Sequence, residues 1–532
     1  MLLPRVKSMI APGKVQVIEF KGYDCQSLID DGEMREMKNL TSDESPCIYQ
    51  RKQRGVYDDT YANPTAIMAR KEKLCVIDGR RFYYDGQLRG LLSTDGEKQV
   101  VAINTKICVF PDKKYYDTIT GDFASLEAVV TATGPSTIAK NSITIPGVDL
   151  SVFSAKDAVA ISGFEVMTEN NTIEGATASY IIKGVDVENN KLIFDDNVLK
   201  LNSTTAESYE ETGILTLSRS VPDMDYVMEQ NNRLWGCKGN YIYACKQGDP
   251  KNWNYYQGLS TDSYSVEVGT DGDFTGCIPY SSHLLFFKEN YVHKLYGNKA
   301  ANYQIVTASC LGMEKGSHRS AAVINDIAYY KSREGIMHYA GDLPSLMTHN
   351  FGTIRYDNAV GGTDGLKYYV SMRNKNDGKW YLFVYDIARQ MWHIEDNTHA
   401  TSFAFLKDKL LYIDADANKI YSTVPDDEPI LEDKKIEWLA VLGDYDEYRE
   451  NKKIYSQIDM RFKMEEDSEI TISIAVDGGE WEHLRHIYTA KQRSVSLPII
   501  PRRCDKFRIK LEGKGYCKIE SVSRIVREGT MR

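Results

Sequence analysis

NNRLWGCKGNYIYAC, residues Asn231–Cys245, is a short apolar run, a tight polar turn and a second apolar run rich in aromatics. The same pattern returns as SSHLLFFKENYVHKLYG (Ser281–Gly297), INDIAYYKSREGIMHYAG (Ile324–Gly341), LKYYVSMRNKNDGKWYLFVYDIARQMW (Leu366–Trp392) and KDKLLYIDADANKIYST (Lys407–Thr423). The units start roughly 40–48 residues apart, the spacing at which four-stranded propeller blades repeat. Working outward, EKLCVIDGRRFYYDGQL carries an Asp78-Gly79 hairpin turn, and KQVVAINTKICVFPDKKYYDT repeats it with Asn104 at the turn. The period therefore predicts an all-β fold, a six- to seven-bladed β-propeller. A strand from the N-terminal region is expected to complete the short last unit and so remove exposed sheet edges.

The spacing breaks between about Phe123 and Val221, where Thr, Ser, Ala and Asn dominate short alternating strands. Residues 123–221 are read as an inserted small β-barrel or sandwich, which a blade loop accepts because closure cost rises slowly with length. This leaves first blades at 57–122 and the remaining blades at 222–425. Residues 1–56 are expected to form an extended arm; they allow a short helix over Gly32–Leu40 and fit better a solvated or partner-clasping strap. The Pro- and acid-rich Val424–Lys435 is expected to be a linker. Beyond it, 426–532 is read as a C-terminal β-sandwich, on the alternation of Ile470, Ile472 and Ile474 and the Asp477-Gly478 turn.

The 532 residues are ample for a large core, and 35 tyrosines against 16 phenylalanines suit half-buried strands. A formal charge of −10 argues against a surface built to grip nucleic acid, though an acidic wall would let a duplex slide past. Ten cysteines lie scattered singly, without metal-ligand spacing, and are expected to be reduced, small buried hydrophobes. The N-terminus has no apolar core of a signal peptide and no run is long enough to cross a membrane as a helix, so assembly in a cytosol is expected. The sequons at Asn39, Asn170 and Asn202 are then chance matches.

No motif carries chemistry. A sialidase-type site needs converging arginines and a tyrosine nucleophile; Arg319, Arg333, Arg355, Tyr329 and Tyr339 are present, but no Asp-box marks the repeats. The pair His483 and His486 falls in an expected strand or loop and is taken as surface. GTDGDFTG (Gly269–Gly276) and DADAN (Asp414–Asn418) look like cation loops but lack the ligand spacing of a calcium hand, and are read as hairpin turns. No catalytic residue, cofactor site or metal site is expected, and the chain is read as not an enzyme. Trp253, in GDPKNWN, is large enough to wedge between blades. It is kept as an interface candidate beside Arg502 and Arg503, which precede a clear strand.

Three segments together resemble the β-propeller tail hub or nozzle proteins of short-tailed phages, also called packaged-DNA stabilisation proteins. They are IDDGEMREMKNLTSDESPCIYQRKQRG, RLWGCKGNYIYACKQGDPKNWNYY with LLFFKENYVHKLYG, and LPIIPRRCDKFRIKLEGKGYCKIESVSRIVREGT. The resemblance spans most of the chain outside 123–221. It implies a structural virion protein in a homo-oligomeric ring, a hexamer by preference, below the portal and adaptor and around the DNA exit channel. It further implies contacts with other tail proteins, transient non-specific contact with phage DNA, no membrane, and assembly in the host bacterial cytoplasm. The alternative is a tail-tip receptor- or carbohydrate-binding protein, which would expose aromatic platforms such as Trp253, Trp380 or Trp392.

Overall fold

The computed structural model describes residues 13–172, 179–425, 435–489 and 491–528. Among them there is no α-helix, and the fold is all-β with a few one-turn 3-10 segments. No helix among the described residues is long and apolar enough to cross a membrane. The chain divides into two compact units, one made of Pro64–His318 and the other of the residues up to Asn63 together with those from Arg319 onward.

The Pro64–His318 unit contains four four-stranded antiparallel meanders. The first sheet runs Pro64–Arg70, Lys73–Asp78, Arg81–Tyr84, Gln87–Leu91, and the second Gln99–Ile103, Lys106–Phe110, Lys114–Asp117, Phe123–Ser125. The third is Tyr226–Gln230, Arg233–Lys238, Tyr241–Ala244, Tyr264–Glu267, and the fourth Gly276–Pro279, Leu284–Lys288, Tyr291–Tyr296, Gln304–Ser309. Two-residue loops join the first hairpins of the first three of these sheets, and Asn231-Asn232 shows why Asn recurs there: both residues have positive φ (56° and 58°). That geometry matches the strand twist and is one that Asn tolerates. Apolar layers fill the space between consecutive sheets: Phe82 with Tyr116 and Phe123, then Phe110 with Leu234 and Trp253, then Trp235 with Phe286.

Between the second and third sheets lies the insertion. Its own core, including Ile138, Ile143, Ile161, Phe194 and Leu217, is separate from those layers. Its boundary is narrower than the composition suggests, because Phe123–Ser125 pairs with Lys114–Asp117 and closes the second sheet. Arg219 forms an ion pair with Asp157, both buried, and Asn252 reaches the same carboxylate at 3.2 Å from the third sheet's long loop.

The other unit carries three more such sheets. They are Ala322–Ile324 to Ser345–Leu346, Tyr356–Thr363 to Met391–Ile394, and a seventh of Ala400–Leu406, Lys409–Asp414 and Lys419–Ser422. The fourth strand of the seventh sheet is Gly55–Asp58, antiparallel to Lys419–Ser422. The rest of the unit is a pair of sheets. One contains Gly22–Tyr23, Glu33–Lys38, Glu437–Tyr445, Phe507–Lys514, Glu469–Val476 and Glu482–Ile487 in that spatial order. The other is built around Cys517–Glu528 and Lys453–Met464, with Gly13–Val17, Leu40–Thr41, Ile48–Gln50, Ser494–Pro498 and Arg503–Cys504 beside them. Ile458, Ile472, Ile509 and Ile519 belong to the core these sheets share.

Residues 13–56 are therefore not an extended arm. They supply strands to both terminal sheets and bury Val17, Phe20, Tyr23, Met34, Met37, Leu40 and Ile48. Gly32–Leu40, which allowed a short helix and fitted a strap better, instead carries the strand Glu33–Lys38. A register shift between Met34 and Glu36 puts two buried methionines three residues apart, which imitates helical spacing. GTDGDFTG is not a hairpin turn but the connection from the third sheet to the fourth, whereas DADAN does turn between Lys409–Asp414 and Lys419–Ser422. Most of the expected linker Val424–Lys435 lies outside the described residues.

Candidate functional site

The segment 481–510 holds eight Lys and Arg against two carboxylates, inside a chain whose formal charge is −10. Its buried positions, Ile487, Leu497, Ile499, Cys504 and Phe507, anchor it in the core of the terminal sheets. What remains is displayed on one flank. Glu482–Ile487 is the edge strand of one sheet, and Ser494–Pro498 and Arg503–Cys504 lie along the outer side of Lys453–Met464 in the other. A short connection, 488–493, joins the two edges, so both lie on the same side of the sandwich.

Arg485, Lys491, Arg493, Arg503 and Lys506 are exposed on this flank, and no ion pair holds their side chains among the described residues. Arg502 is different: its guanidinium grips both carboxylate oxygens of Glu482. Trp481 sits beneath two cations, with Arg508 5.2 Å and Lys510 5.1 Å from the ring centre. Tyr488, 75% exposed, lies in near-parallel planes with His486 at 5.9 Å, and Ile500 is also 75% exposed. The arrangement is an arginine-rich edge with aromatic and apolar side chains at its rim. It offers bidentate donors to carboxylate or phosphate oxygens.

The structure separates the three interface candidates. Arg502 and Arg503 stand together on this flank. Trp253 does not belong with them: it is 2% exposed, donates its indole N–H to the Pro250 carbonyl at 2.8 Å and fills the layer between the second and third sheets. As an interface residue it is therefore corrected; it is a packing residue. Trp392 is also buried, bonded to the Met347 carbonyl at 3.2 Å. Trp380 alone of the three expected platforms reaches solvent, and it is stacked on His399 at 3.8 Å. Residues missed in the sequence are Arg485, Lys491, Arg493 and Lys506. A sliding charge count would have found them; the whole-chain charge hides them.

The sites weighed for chemistry come out as follows. Tyr329 and Tyr339 are buried, and Tyr339 donates to the Gly341 carbonyl at 2.8 Å. Burial pushes the Tyr329 phenol up to about 12. Arg333 and Arg355 share the Glu334 carboxylate, at 3.9 and 3.1 Å, while Arg319 donates to the Thr401 carbonyl, so the three do not gather at one point. In GTDGDFTG the position a cation would take is filled from within: the buried Lys288 ammonium donates to Thr270 O and Asn240 Oδ1, both at 2.6 Å. Among the described residues no group of three or more His, Cys, Asp or Glu is placed to hold a metal ion. The first strands of the four sheets in the Pro64–His318 unit carry one carboxylate, Glu229, and those of the other unit's three carry one, Asp357, which Arg373 holds at 2.9 Å.

No protein-family model matches the chain, and no curated protein matches it. Similar solved structures include an exo-beta-1,3-galactanase from Phanerochaete chrysosporium at 8% identity, covering 55% of this chain and 92% of that one with a TM-score of 0.21. Hsv2 from Kluyvelomyces marxianus is 11% identical, with coverage of 73% and 95% and a TM-score of 0.28. PorZ, a bacterial surface component of the type-IX secretion system of Porphyromonas gingivalis, is 10% identical, with coverage of 87% and 82% and a TM-score of 0.20. The reading of the chain as not an enzyme is corrected by the first of these, whose name is that of an enzyme. The physical reason is that missing motifs exclude known signatures, not sites assembled from scattered strands. At these identities and TM-scores the likeness assigns no activity to this chain.

Proposed function

We propose that the chain is a structural component of a phage tail, a seven-bladed propeller with an inserted β-domain and a terminal β-sandwich. In this reading it forms a homo-oligomeric ring of the hub or nozzle kind, a hexamer by preference, below the portal and adaptor in the virion. The observation that carries the reading is the seventh sheet. Its fourth strand, Gly55–Asp58, comes from the opposite end of the sequence, the arrangement by which a circle of blades is latched shut. A buried charge cluster supports the latch: Arg54 donates to Glu395 at 2.6 Å and lies 2.9 Å from Asp396, and Arg51 also reaches Asp396. The low charge of the first strands also supports it. Innermost strands that neither bind nor strongly repel phosphates would let a duplex pass along the axis.

The experiment is electron microscopy of the purified protein and of virions carrying it. Rings of about six copies at the tail support the proposal; a uniformly monomeric protein absent from virions overturns it. The half-buried Trp380–His399 stack favours one second reading, a carbohydrate-binding protein at the tail tip. Glycan-array binding that Trp380→Ala abolishes would establish that reading instead.

A further inference from the structure

We propose that Lys288 and Asn240 join covalently: the Lys288 amine displaces ammonia from the Asn240 carboxamide, and the isopeptide bond so formed staples the third sheet to the fourth. Both residues belong to the Pro64–His318 unit. Lys288 ends the strand Leu284–Lys288 and is 1% exposed, and Asn240 stands in the two-residue turn between Arg233–Lys238 and Tyr241–Ala244. Lys288 Nζ lies 2.6 Å from both Asn240 Oδ1 and Thr270 O. No carboxylate pairs with this amine among the described residues, and Asp271 and Asp273, beside Thr270, are exposed. Other buried lysines differ: Lys98 pairs with Asp112, and Lys331 and Lys453 donate to backbone carbonyls. A buried ammonium without a carboxylate partner is costly. Burial lowers the Lys288 pKa accordingly, so more of it is present as the nucleophilic free amine.

Backbone bonds hold the two groups together. Val268 N–H donates to the Asn240 carbonyl at 2.8 Å and Phe274 N–H to the Gly239 carbonyl at 3.0 Å, while Thr275 N–H donates to the Phe287 carbonyl at 2.8 Å. The connection between the sheets thus grips the turn on one side and the lysine's strand on the other. An amine fixed this close to a carboxamide gains the effective concentration of an intramolecular reaction. The Phe274 ring, 5.1 Å from Nζ, and the buried Cys237 keep water away, which favours attack by the amine over hydrolysis. Rotation about Cε–Nζ turns the nitrogen lone pair onto Asn240 Cγ. The Nζ–Cγ bond forms, the Cγ–Nδ2 bond breaks, and one Nζ proton leaves with Nδ2 as ammonia. Nothing is oxidised or reduced, and no co-reactant is consumed. The Thr270 carbonyl accepts the N–H that remains, and Asp273 and Asp271, whose charges reach the amine, relay the departing proton through water. The bond lies within one chain, so it is independent of the tail-ring reading.

Mass spectrometry of the intact purified protein, before and after overnight incubation at neutral pH, reads the reaction as a loss of about 17 Da, one ammonia. Trypsin should then release residues 239–246 joined to residues 252–294, uncut after Lys288. Lys288→Met and Asn240→Ala should each restore the full mass and the separate peptides. Asp271→Ala combined with Asp273→Ala alters only exposed side chains and leaves both reacting groups in place; it should slow the loss about 100-fold. An unchanged rate there overturns the relay. An unshifted mass in the unaltered protein after incubation overturns the proposal, and this measurement decides the matter even where a variant fails to fold. A loss of about 17 Da without the branched peptide also overturns it, because ammonia would then come from cyclisation at another asparagine.

Discussion

Arg54→Met removes the centre of the buried cluster that holds the N-terminal segment against the sixth and seventh sheets. The Arg54 side chain is 3% exposed and donates to Glu395 Oε2 and Thr398 Oγ1 at 2.6 Å and to Tyr412 Oη at 2.9 Å. Burial works against its charge, but Asp396, Tyr412 and Glu395 outweigh that and hold its pKa well above the usual value. Methionine keeps most of the volume and leaves two carboxylates buried together. Breaking a buried pair in this way costs about 3–5 kcal/mol, and because Arg51 still reaches Asp396 the lower end applies, about 3 kcal/mol. That is about a 140-fold rise in the opening constant of the latch. Hydrogen exchange of peptides covering Gly55–Asp58 and Lys419–Ser422 reads it directly, with the exposed Arg502→Ala as a control expected to leave their exchange unchanged. Acid adds a second signature. Burial alone would raise the Asp396 carboxyl, but Arg54 and Arg51 hold it below the usual range. Its stabilisation is present above the unfolded value near 3.9 and is lost as pH falls through the folded one, so the variant's deficit should shrink below about pH 4. Equal exchange in Arg54→Met and Arg502→Ala would refute the reasoning, and so would a further loss on adding Glu395→Gln and Asp396→Asn, which should restore part of the protection.

Three further outcomes are expected. His393 is fully buried with neither ring nitrogen hydrogen-bonded among the described residues, and burial followed by the Lys367 charge lowers its pKa to about 3. Between that value and the unfolded 6.5 the unfolded chain alone binds the proton, so stability falls with acidification by up to about 1.4 kcal/mol per pH unit; denaturant titrations of His393→Leu should show that slope removed and about 1 kcal/mol gained at neutral pH. A Cβ on Gly362 would stand 2.4 Å from Phe403 Cβ, so Gly362→Ala should cost about 1–3 kcal/mol in the same titrations by forcing the sixth and seventh sheets apart. Cys277 packs against the core cluster that contains Cys237, across the third and fourth sheets. Exchange with oxidised glutathione, two protein thiols for one small disulfide, should link them and release two glutathione thiols, slowly because burial raises the Cys237 thiol; peptide mapping that finds only mixed disulfides would contradict this.

Most of the sheet-forming pattern was legible because each repeat states it locally. KLCVID at Lys73–Asp78 and KLLYID at Lys409–Asp414 present the same continuous, buried apolar run and end on Asp at a turn. The N-terminal strands were not legible, since short strands separated by irregular turns, with the Met34–Glu36 register shift, carry neither a period of two nor a period of 3.6. Their partners lie some hundreds of residues away, a relation that no local window contains. The basic flank was half legible: Arg502 and Arg503 are adjacent in sequence, but Arg485 and Arg493 join them only when two sheet edges are brought to one side. Trp253 illustrates the opposite error, a conspicuous residue whose size suits a core as well as a surface.

The strand Gly55–Asp58 also constrains when this protein can mature. It leaves the ribosome early, yet Lys419–Ser422 is made about 360 residues later, about 20–70 s at 5–20 residues per second. The segments Gly13–Val17 and Ile48–Gln50 wait longer still, for Cys517–Glu528. During that interval the early strands have no permanent mates, and any chain cut short upstream never acquires them. Interrupted synthesis would leave open edges of the kind that attract proteases and aggregate, so only chains translated through those later strands can close these sheets. The latch that fastens the seventh sheet thus doubles as a proofreading step on protein synthesis.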